Sequence, residues 1–405
     1  MTRRFTAGGQ VAIAGYAHSQ VERHAARPLG ALAVETARQA IADAGLRAGD
    51  IDGVVTASLF PTAGAHAADD GVATVTANWL AGHLAQAGAQ PRYVSGFQGI
   101  GQMSGAVAIA VNAIAAGAAD HVLLLRALHN PKGSYHGNPM REAAGAQQWT
   151  APAGFFGPLA MIALPYNEYL QRYGATREEM AAVVVEARKN GARLPWSYWH
   201  GRPLPAQEYL AAPMLADPVC RFDCDIPVDG VAAFVFTLAE RARDLPNKPV
   251  YVAGYASGMQ PRRRLPLHWP LDDIMGAGAD LATRLWEATG IGPGEVDLPQ
   301  VYDGFSPFAW FWLEALGLCP PGEAHRFVAA GGIDSDDPAA LPALSSGGAL
   351  GNGRMHGVPQ MLECYLQLAG RAGPRQRATA SVGVACQSSP HYGGAVMYTA
   401  EPVSP

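Results

Sequence analysis

Tyr302-Asp303-Gly304-Phe305, followed by Ser346-Gly347-Gly348 and the run from Gly351 to Gly357, is the stretch that decides the fold of this chain. It places a tyrosine, and later Arg354 and His356, beside closely spaced glycines. Glycine lets one backbone come close to another chain segment or to a ligand. The pattern therefore indicates a buried site built where separate segments meet.

The chain contains a long internal repeat. The run Val11–Ala17 matches Val250–Ala256, and Gly45–Asp52 matches Gly290–Asp297. Each copy reads as a strand, an amphipathic helix, a glycine turn and a second strand, which predicts an α/β architecture. A repeat of this length indicates two similar domains rather than a solenoid. We assign an N-terminal domain to residues 1–245 and a C-terminal domain to residues 246–405.

Residues 127–216 form an inserted loop region within the first domain. The region is rich in Gly, Pro, Trp and Tyr, and we expect it to cover a site between the domains. Thr176 and Glu179 have the spacing of a capping box, which predicts a helix start. His129, near the beginning of the insertion, is a candidate to face the site.

Composition and charge exclude several classes of protein. Apolar residues make up 49% of the chain and the formal net charge is -5, so neither disorder nor a basic nucleic-acid surface is expected. The apolar run Ala106–Leu125 is interrupted by Asn112 and Asp120, which favours a buried helix and strand over a membrane span.

The five cysteines are an odd count, and none precedes Cys220. This usage favours a reducing cytoplasm over a secreted disulfide framework. Cys220 and Cys224 lack a second cysteine or histidine pair at suitable spacing, so we expect no metal.

Taken in order, several segments resemble the thiolase superfamily, in particular the sterol-carrier-type thiolases, over essentially the whole chain. The segments are Val228–Ala233, Tyr302–Ser306, Leu313–Cys319, Ser346–Gly348, Gly370–Gln376 and Gly393–Ala395. The resemblance implies a thiolase fold, with two similar mixed five-stranded sheets in an α-β-α-β-α layering and an inserted loop region. It also implies a homodimer, a coenzyme A thioester as substrate, no tightly bound cofactor, and an active site where the halves meet.

The nucleophilic cysteine of thiolases is absent from the first half. Alignment places its position at Ile100 or at Gln102, and no cysteine lies anywhere before Cys220. A thioester on a first-half cysteine is therefore excluded. Ser95 and Ser104 lie nearby as hydroxyl groups, either as nucleophiles or simply as small residues packing a helix start.

The second half departs from the thiolase pattern as well. By the resemblance, Tyr302 replaces a histidine, Gly304 replaces a cysteine, and Arg354 replaces the histidine of a Gly-His-Pro motif, with His356 able to enter the same space. Ser388 stands where sterol-carrier-type thiolases have a histidine. Cys386 nearby is either an acid or base or a structural thiol.

The remaining residues are suited to stabilising an enolate. Backbone N–H groups of Gly347, Gly348 and Gly353 can approach a thioester oxygen, and Arg354 supplies a permanent positive charge. We expect Arg354 to lower the pKa of Tyr302, which would make that phenol a general base for a β-hydroxyl group, unless it only fills the domain interface. Asp303 is expected to cap the helix that follows it. The arginines at 262–264 are either solvated surface or a site for CoA phosphates.

These features resemble the thiolase-like aldolases of sterol side-chain breakdown, which lack the cysteine. The resemblance implies retro-aldol cleavage of a β-hydroxyacyl-CoA and a small zinc-containing OB-fold partner. Two alternatives stay open. One is a non-catalytic homologue that binds acyl-CoA or lipid, or completes a complex. The other is an acyltransferase with a nucleophile other than cysteine.

Overall fold

The computed structural model describes residues 5–58, 69–98, 103–130, 143, 145, 147–155, 157–258 and 269–403. The strands are β1 (Val11–His18), β2 (Gly53–Ser58), β3 (Tyr93–Gln98), β4 (His121–Leu128), β5 (Met214–Ala216), β6 (Val219–Cys220), β7 (Gly230–Leu238), β8 (Val250–Ser257), β9 (Leu298–Gln300), β10 (Val382–Gln387) and β11 (Gly394–Thr399). The α-helices are α1 (Leu29–Asp43), α2 (Ala77–Ala85), α3 (Met103–Ala115), α4 (Gln147–Thr150), α5 (Gly157–Tyr173), α6 (Arg177–Arg193), α7 (Ala206–Leu210), α8 (Ala239–Ala242), α9 (Leu271–Thr289), α10 (Pro307–Ala315), α11 (Ala324–Ala329), α12 (Gly348–Asn352) and α13 (Val358–Leu368).

Nine of these strands form one mixed sheet in the order β3-β2-β4-β7-β1-β8-β11-β10-β9. The first half of the chain contributes β3-β2-β4-β7-β1, and the described part of the second half contributes β8-β11-β10-β9. The two strands that open the repeat meet at the centre, because β1 pairs antiparallel with β8 and Ala12 lies opposite Tyr251. The α/β prediction is confirmed, although the described residues of the second half supply four strands to this sheet instead of the expected five.

Helices α3 and α13 share one buried cluster with strands of both halves. Helix α3 contacts β2, β4 and β7 of the first half and β8 and β11 of the second, and α13 contacts β9, β10 and β11. Val107 of α3 and Met361 of α13 share one buried cluster with Phe234 of β7 and Val396 of β11. Helix α1 packs on β1, β4 and β7 of the first half, whereas α9 packs on β8 and β11 of the second.

The repeated segments adopt matching structures. Strand β1 corresponds to β8, α1 to α9, and the 3₁₀ turn Ala48–Asp50 to Pro293–Glu295. The division of the chain at residues 245 and 246 stays a prediction.

The inserted region carries helices α4 to α7. Its capping box is confirmed, because the Glu179 amide donates to the Thr176 hydroxyl at 3.2 Å and the Thr176 amide donates to the Glu179 carboxylate at 2.8 Å. Helix α6 then runs in backbone contact with α12, since a Cβ added at Gly191 would lie 1.8 Å from the Gly351 carbonyl oxygen. The insertion therefore packs directly on the short helix that precedes Arg354.

Within the described ranges, no helix is long and apolar enough to cross a membrane.

Candidate functional site

Tyr302 follows β9 and lies almost wholly inside the protein, with a relative exposure of 5%. Its ring folds back over Gly304, because a Cβ added at Gly304 would meet the Tyr302 hydroxyl oxygen at 2.4 Å. On another side it faces Phe308, with ring centroids 6.4 Å apart. The tyrosine therefore occupies the space that a side chain at residue 304 would need.

A short antiparallel pairing brings Asp225 to the same place. The Asp225 amide donates to the Gly304 carbonyl at 3.1 Å, and the Ser306 amide donates to the Asp223 carbonyl at 3.0 Å. The Asp223 carboxylate anchors this pairing, because it accepts bonds from the Ser306 hydroxyl at 2.5 Å and the Tyr209 hydroxyl at 2.7 Å. Asp225 itself is buried, with a relative exposure of 4%.

Arg354, His356 and Arg126 form a cluster that joins the two halves of the chain. The Arg354 Nε donates to His356 Nε2 at 2.6 Å, and Arg126 Nη2 lies 2.7 Å from His356 Nδ1. Arg126, at the end of β4, is completely buried and also donates to the Ala57 carbonyl at 3.0 Å. The Arg354 amide donates to the Ile226 carbonyl at 2.9 Å, which sets Arg354 beside the Asp225 segment.

His356 is held between two guanidinium groups. Its backbone has φ of 45°, in the left-handed region that residues other than glycine rarely adopt. Such strained positions cluster at functional sites.

Burial shifts the proton equilibria of this cluster. It raises the pKa of Tyr302 well above its ordinary value; Asp225 adds to that rise, while Arg354 opposes it. Burial also raises the pKa of Asp225 to about 8, against the opposing effect of Arg354, and lowers the pKa of Arg126 to about 10. Arg354 thus acts on Tyr302 in the expected direction, but the pKa of Tyr302 rises overall because desolvation of the phenolate outweighs the attraction of the guanidinium.

Asp303 caps a helix, but not the one that follows it in sequence. Its carboxylate accepts hydrogen bonds from the amides of Ala349 at 2.6 Å and Leu350 at 3.2 Å, at the start of α12. Helix α10, which follows Asp303, begins at Pro307. The expected partner was wrong because the chain brings α12, which is distant in sequence, against this carboxylate.

The glycine amides of the loop are engaged within the loop itself. The Gly347 amide donates to the Leu344 carbonyl at 2.8 Å, Gly348 to the Ser346 hydroxyl at 3.0 Å, and Gly353 to the Ala349 carbonyl at 2.9 Å. An oxyanion requires donors aimed at it, so this geometry gives no support to the role expected for these amides. The missing side chains instead allow close packing, since a Cβ at Gly348 would lie 2.1 Å from the Asp303 carboxylate.

Comparison with known proteins places the chain in a family. The family described as "Thiolase C-terminal domain-like" matches residues 273–399. A 17-hydroxy-3-oxo-4-pregnene-20-carboxyl-CoA lyase of Mycobacterium tuberculosis is 31% identical over 375 residues, which cover 89% of this chain and 92% of that protein. The chain belongs to the thiolase superfamily.

Two further relatives indicate which thiolase-like subgroup is involved. A steroid side-chain-cleaving aldolase of Thermomonospora curvata is 30% identical over 366 residues, covering 88% of this chain and 89% of that protein. The solved structure of an Ltp2-ChsH2(DUF35) aldolase has a TM-score of 0.83 and 26% identity, and covers 97% of this chain and 98% of that one. The predictions of the thiolase fold and of the aldolase-like subgroup are confirmed.

Four other predicted residues of this thiolase-like chain make contacts with residues other than Tyr302, Arg354 and His356, or are buried. His129 contacts Asp229 at 2.9 Å, and Ser104 is buried with its amide donating to Gln387 Oε1 at 2.6 Å. Cys386 is fully buried, and burial raises the pKa of its thiol well above the ordinary value. Ser388 is buried with φ of 57°, and its carbonyl accepts from Trp312 Nε1 at 2.7 Å.

The positions assigned to the replaced nucleophile, Ile100 and Gln102, lie outside the described residues, as do the arginines at 262–264. Ser95 lies half-buried on β3.

Sequence reasoning missed Arg126 and Asp225. A signal for Arg126 was present, because a charged residue in the otherwise apolar strand His121–Leu128 is rarely buried without a purpose. Asp225 lies among several acidic residues between Arg221 and Gly230, and only the three-dimensional pairing with Gly304 distinguishes it.

Proposed function

We propose that this chain is a carbon–carbon lyase that cleaves a β-hydroxyacyl-CoA by a retro-aldol reaction, with a steroid-type acyl group as substrate. The observation that carries the proposal is the cluster of Tyr302, Arg354, His356 and Arg126, all buried except the partly buried Arg354, in a chain with no cysteine before Cys220. This arrangement suits stabilisation of developing negative charge but offers no first-half thiolate. The activities named for the relatives from M. tuberculosis and T. curvata support the same reaction.

The residues have distinct roles in this proposal. Arg354, held by His356, faces the thioester oxygen on which enolate charge develops, and Arg126 orients His356 from the opposite half. Tyr302 keeps its proton at neutral pH because burial raises its pKa, so it acts as a proton donor to the reacting carbon. Ser388 and the loop containing Gly347, Gly348 and Gly353 border the substrate, the glycines by allowing close packing.

A partner and an assembly belong to the same proposal. We propose a small zinc-containing OB-fold partner; the solved aldolase that contains Ltp2 with ChsH2(DUF35) supports a partner protein as such. Strand β3 ends the sheet and leaves Val94 38% exposed, which favours a homodimer formed along this edge. Light scattering of the purified chain tests the dimer. All five cysteines are free thiols, consistent with a cytoplasmic location.

The activity is tested by supplying steroid-type and simpler β-hydroxyacyl-CoA thioesters, with and without a DUF35 partner. We expect mass spectrometry to find a ketone or aldehyde together with a shortened acyl-CoA. Tyr302→Phe should lower kcat by about 10²–10⁴-fold because it removes the proton donor.

Tyr365→Phe is the matched control. Its hydroxyl also lies beside an arginine inside the protein, where Arg371 Nη1 donates to it at 3.1 Å, but it is on α13, away from the cluster. We expect this variant to keep its turnover. Tight binding of the thioesters without any product, and without an effect of Tyr302→Phe, would favour a non-catalytic acyl-CoA binder.

A further inference from the structure

A cavity of about 480 Å³ lies between helices α6 and α7 of the inserted region, helix α12 and the segment before β7. Asp225 forms part of its wall. Most of the lining is apolar, with Val184, Trp199, Phe222 and Leu350 among its members. Exposed residues also line the cavity, including Leu215 at 51% relative exposure. Asp225 therefore lies at the inner wall of a largely apolar cavity that is open to solvent.

Asp225 is the group that the cavity and the tyrosine cluster share. Its amide is bonded to the Gly304 carbonyl, and its carboxyl acts electrostatically on Tyr302 and is acted on by Arg354. Asp225 is thus both a wall of the cavity and a neighbour of the proposed reacting groups.

The two neighbouring buried aspartates, Asp223 and Asp303, hold structural hydrogen bonds. The Asp223 carboxylate accepts bonds from Ser306, Tyr209 and the Cys220 amide. The Asp303 carboxylate caps α12. Neither of them lines the cavity, so Asp225 is the aspartate placed to meet a substrate.

We propose that Asp225 is the catalytic residue that accepts the β-hydroxyl proton during cleavage. The inference rests on the retro-aldol function proposed above and supplies the base that Tyr302, as a proton donor, cannot be. Burial raises the pKa of Asp225 to about 8, which suits proton exchange near neutral pH because a general base works best when its pKa lies near the working pH.

The proton transfers balance over one turnover. The Asp225 carboxylate takes the β-hydroxyl proton, and the O–H electron pair forms the C=O bond of the released ketone or aldehyde. The Cα–Cβ bond breaks, and its electrons pass to the thioester as an enolate beside Arg354. Tyr302 protonates Cα to give the shortened acyl-CoA, and the Asp225 carboxyl then returns a proton to the phenolate.

Other charged groups around Asp225 set its titration. Arg354 favours the carboxylate and Asp303 disfavours it. On the side of the tyrosine cluster, Tyr392 adds to the rise in the pKa of Tyr302, and Arg354 opposes the rise in the pKa of Tyr392. The titratable and charged groups on the cavity side are Arg188, Glu208, Arg221 and Cys224. A pH profile must therefore be assigned with variants of Asp225 itself.

The test is kcat/KM against pH for the wild type, Asp225→Asn and Asp225→Glu, with the DUF35 partner present. We expect the wild-type rate to rise with pH up to about 8. Asp225→Asn should lower kcat by about 10²–10⁴-fold and abolish this acid limb, because an amide cannot take the proton. Asp225→Glu should restore part of the rate with a shifted limb, a rescue that a purely structural role would not give.

Asp52→Asn is the matched control. Asp52 accepts hydrogen bonds from the backbone amides of Asp120 and His121, and it lies where β2 and β4 begin, at the opposite end of the strands from Arg126. We expect its turnover and pH profile to match those of the wild type.

A substrate-free titration separates this inference from the proposed function. In infrared difference spectra of wild type minus Asp225→Asn, the carboxylic acid band should disappear with a midpoint at pH of about 8. A midpoint below about pH 5 would overturn the role of Asp225 alone, because the carboxyl group would then titrate like an ordinary one. The same conclusion would follow from an active wild type whose rate and acid limb are unchanged in Asp225→Asn. A wild type that cleaves no thioester would overturn the proposed function and this role with it.

Discussion

Tyr302 and Gly304 depend on each other sterically. The resemblance to thiolases treats them as two separate replacements, of a histidine and of a cysteine. A Cβ at residue 304, however, would lie 2.4 Å from the Tyr302 hydroxyl oxygen and 2.6 Å from Cε1 of its ring. Real Cβ atoms do not approach that closely, so the tyrosine occupies this position only while residue 304 lacks a side chain.

Gly304→Ala should therefore impair the enzyme through Tyr302. We expect the ring to be displaced, with a turnover loss comparable to that of Tyr302→Phe and a destabilisation of about 1–3 kcal/mol from overpacking. Turnover and urea unfolding are measured on the same preparations. Gly294→Ala, where an added Cβ meets nothing within 4 Å, is the control. Wild-type turnover in Gly304→Ala would show that Tyr302 does not need its observed position.

Helices α6 and α12 fix the loop that carries Arg354 and His356. They approach so closely that a Cβ at Gly191 would lie 1.8 Å from the Gly351 carbonyl oxygen, and a Cβ at Gly351 would lie 2.0 Å from the Ala187 carbonyl oxygen. Asn352 at the end of α12 adds bonds to the Ser346 and Gly348 carbonyls at 2.6 and 2.7 Å. The inserted region thus acts on the site by packing against the base of this loop.

Two glycine-to-alanine variants in helix interiors separate this packing from helix propensity. Gly191→Ala should destabilise the protein by about 1–3 kcal/mol and lower turnover, because α6 has to move away from α12. Gly276→Ala in α9, where an added Cβ meets nothing within 4 Å, should be neutral or stabilise by up to about 1 kcal/mol. Denaturant unfolding compares the two variants. Equal effects of the two substitutions would show that the α6–α12 contact is not tight in solution.

The elements that the sequence predicts well are those set by local signals. The capping box at Thr176 and the strand, helix and turn of each repeat depend on neighbouring residues and on periodicity, and the structure contains them. The gathering of Arg126 and Asp225 around Tyr302 depends instead on strand order and on the pairing of residues 223–225 with 304–306. No local pattern specifies such contacts, which is why the catalytic proposals changed most once the fold was known.

At the scale of the whole molecule, the halves are joined by polar contacts as well as by the shared sheet. Arg126 meets His356, the Ser104 amide donates to Gln387, and Arg371 Nη2 donates to Asp43 Oδ1 at 2.7 Å. Each contact pairs a residue of the first half with one of the second. The site therefore exists only when both halves are folded, and the ionisation of its buried groups contributes to the stability of the whole chain.

Asp225 and Asp303 should make the folded protein less stable as pH rises. Burial raises the pKa of Asp225 to about 8 and that of Asp303 to about 7, from 3.8 in the unfolded chain. Between the unfolded-state and folded-state pKa of each group, the folded state binds more protons than the unfolded state. The free energy of unfolding therefore falls there by up to about 1.4 kcal/mol per pH unit for each group. This stabilisation is complete below about pH 4 and is lost as pH passes the folded-state values.

Urea unfolding of the wild type and Asp225→Asn across this range measures the effect. His18 and His121, whose pKa values are lowered by burial, oppose the trend as pH rises to about 6.5, so the difference between the two proteins is the informative quantity. We expect Asp225→Asn to gain stability relative to the wild type as pH rises toward 8, because the amide never has to carry a buried charge. A constant difference between about pH 5 and 9 would mean that Asp225 ionises like an ordinary surface carboxyl group.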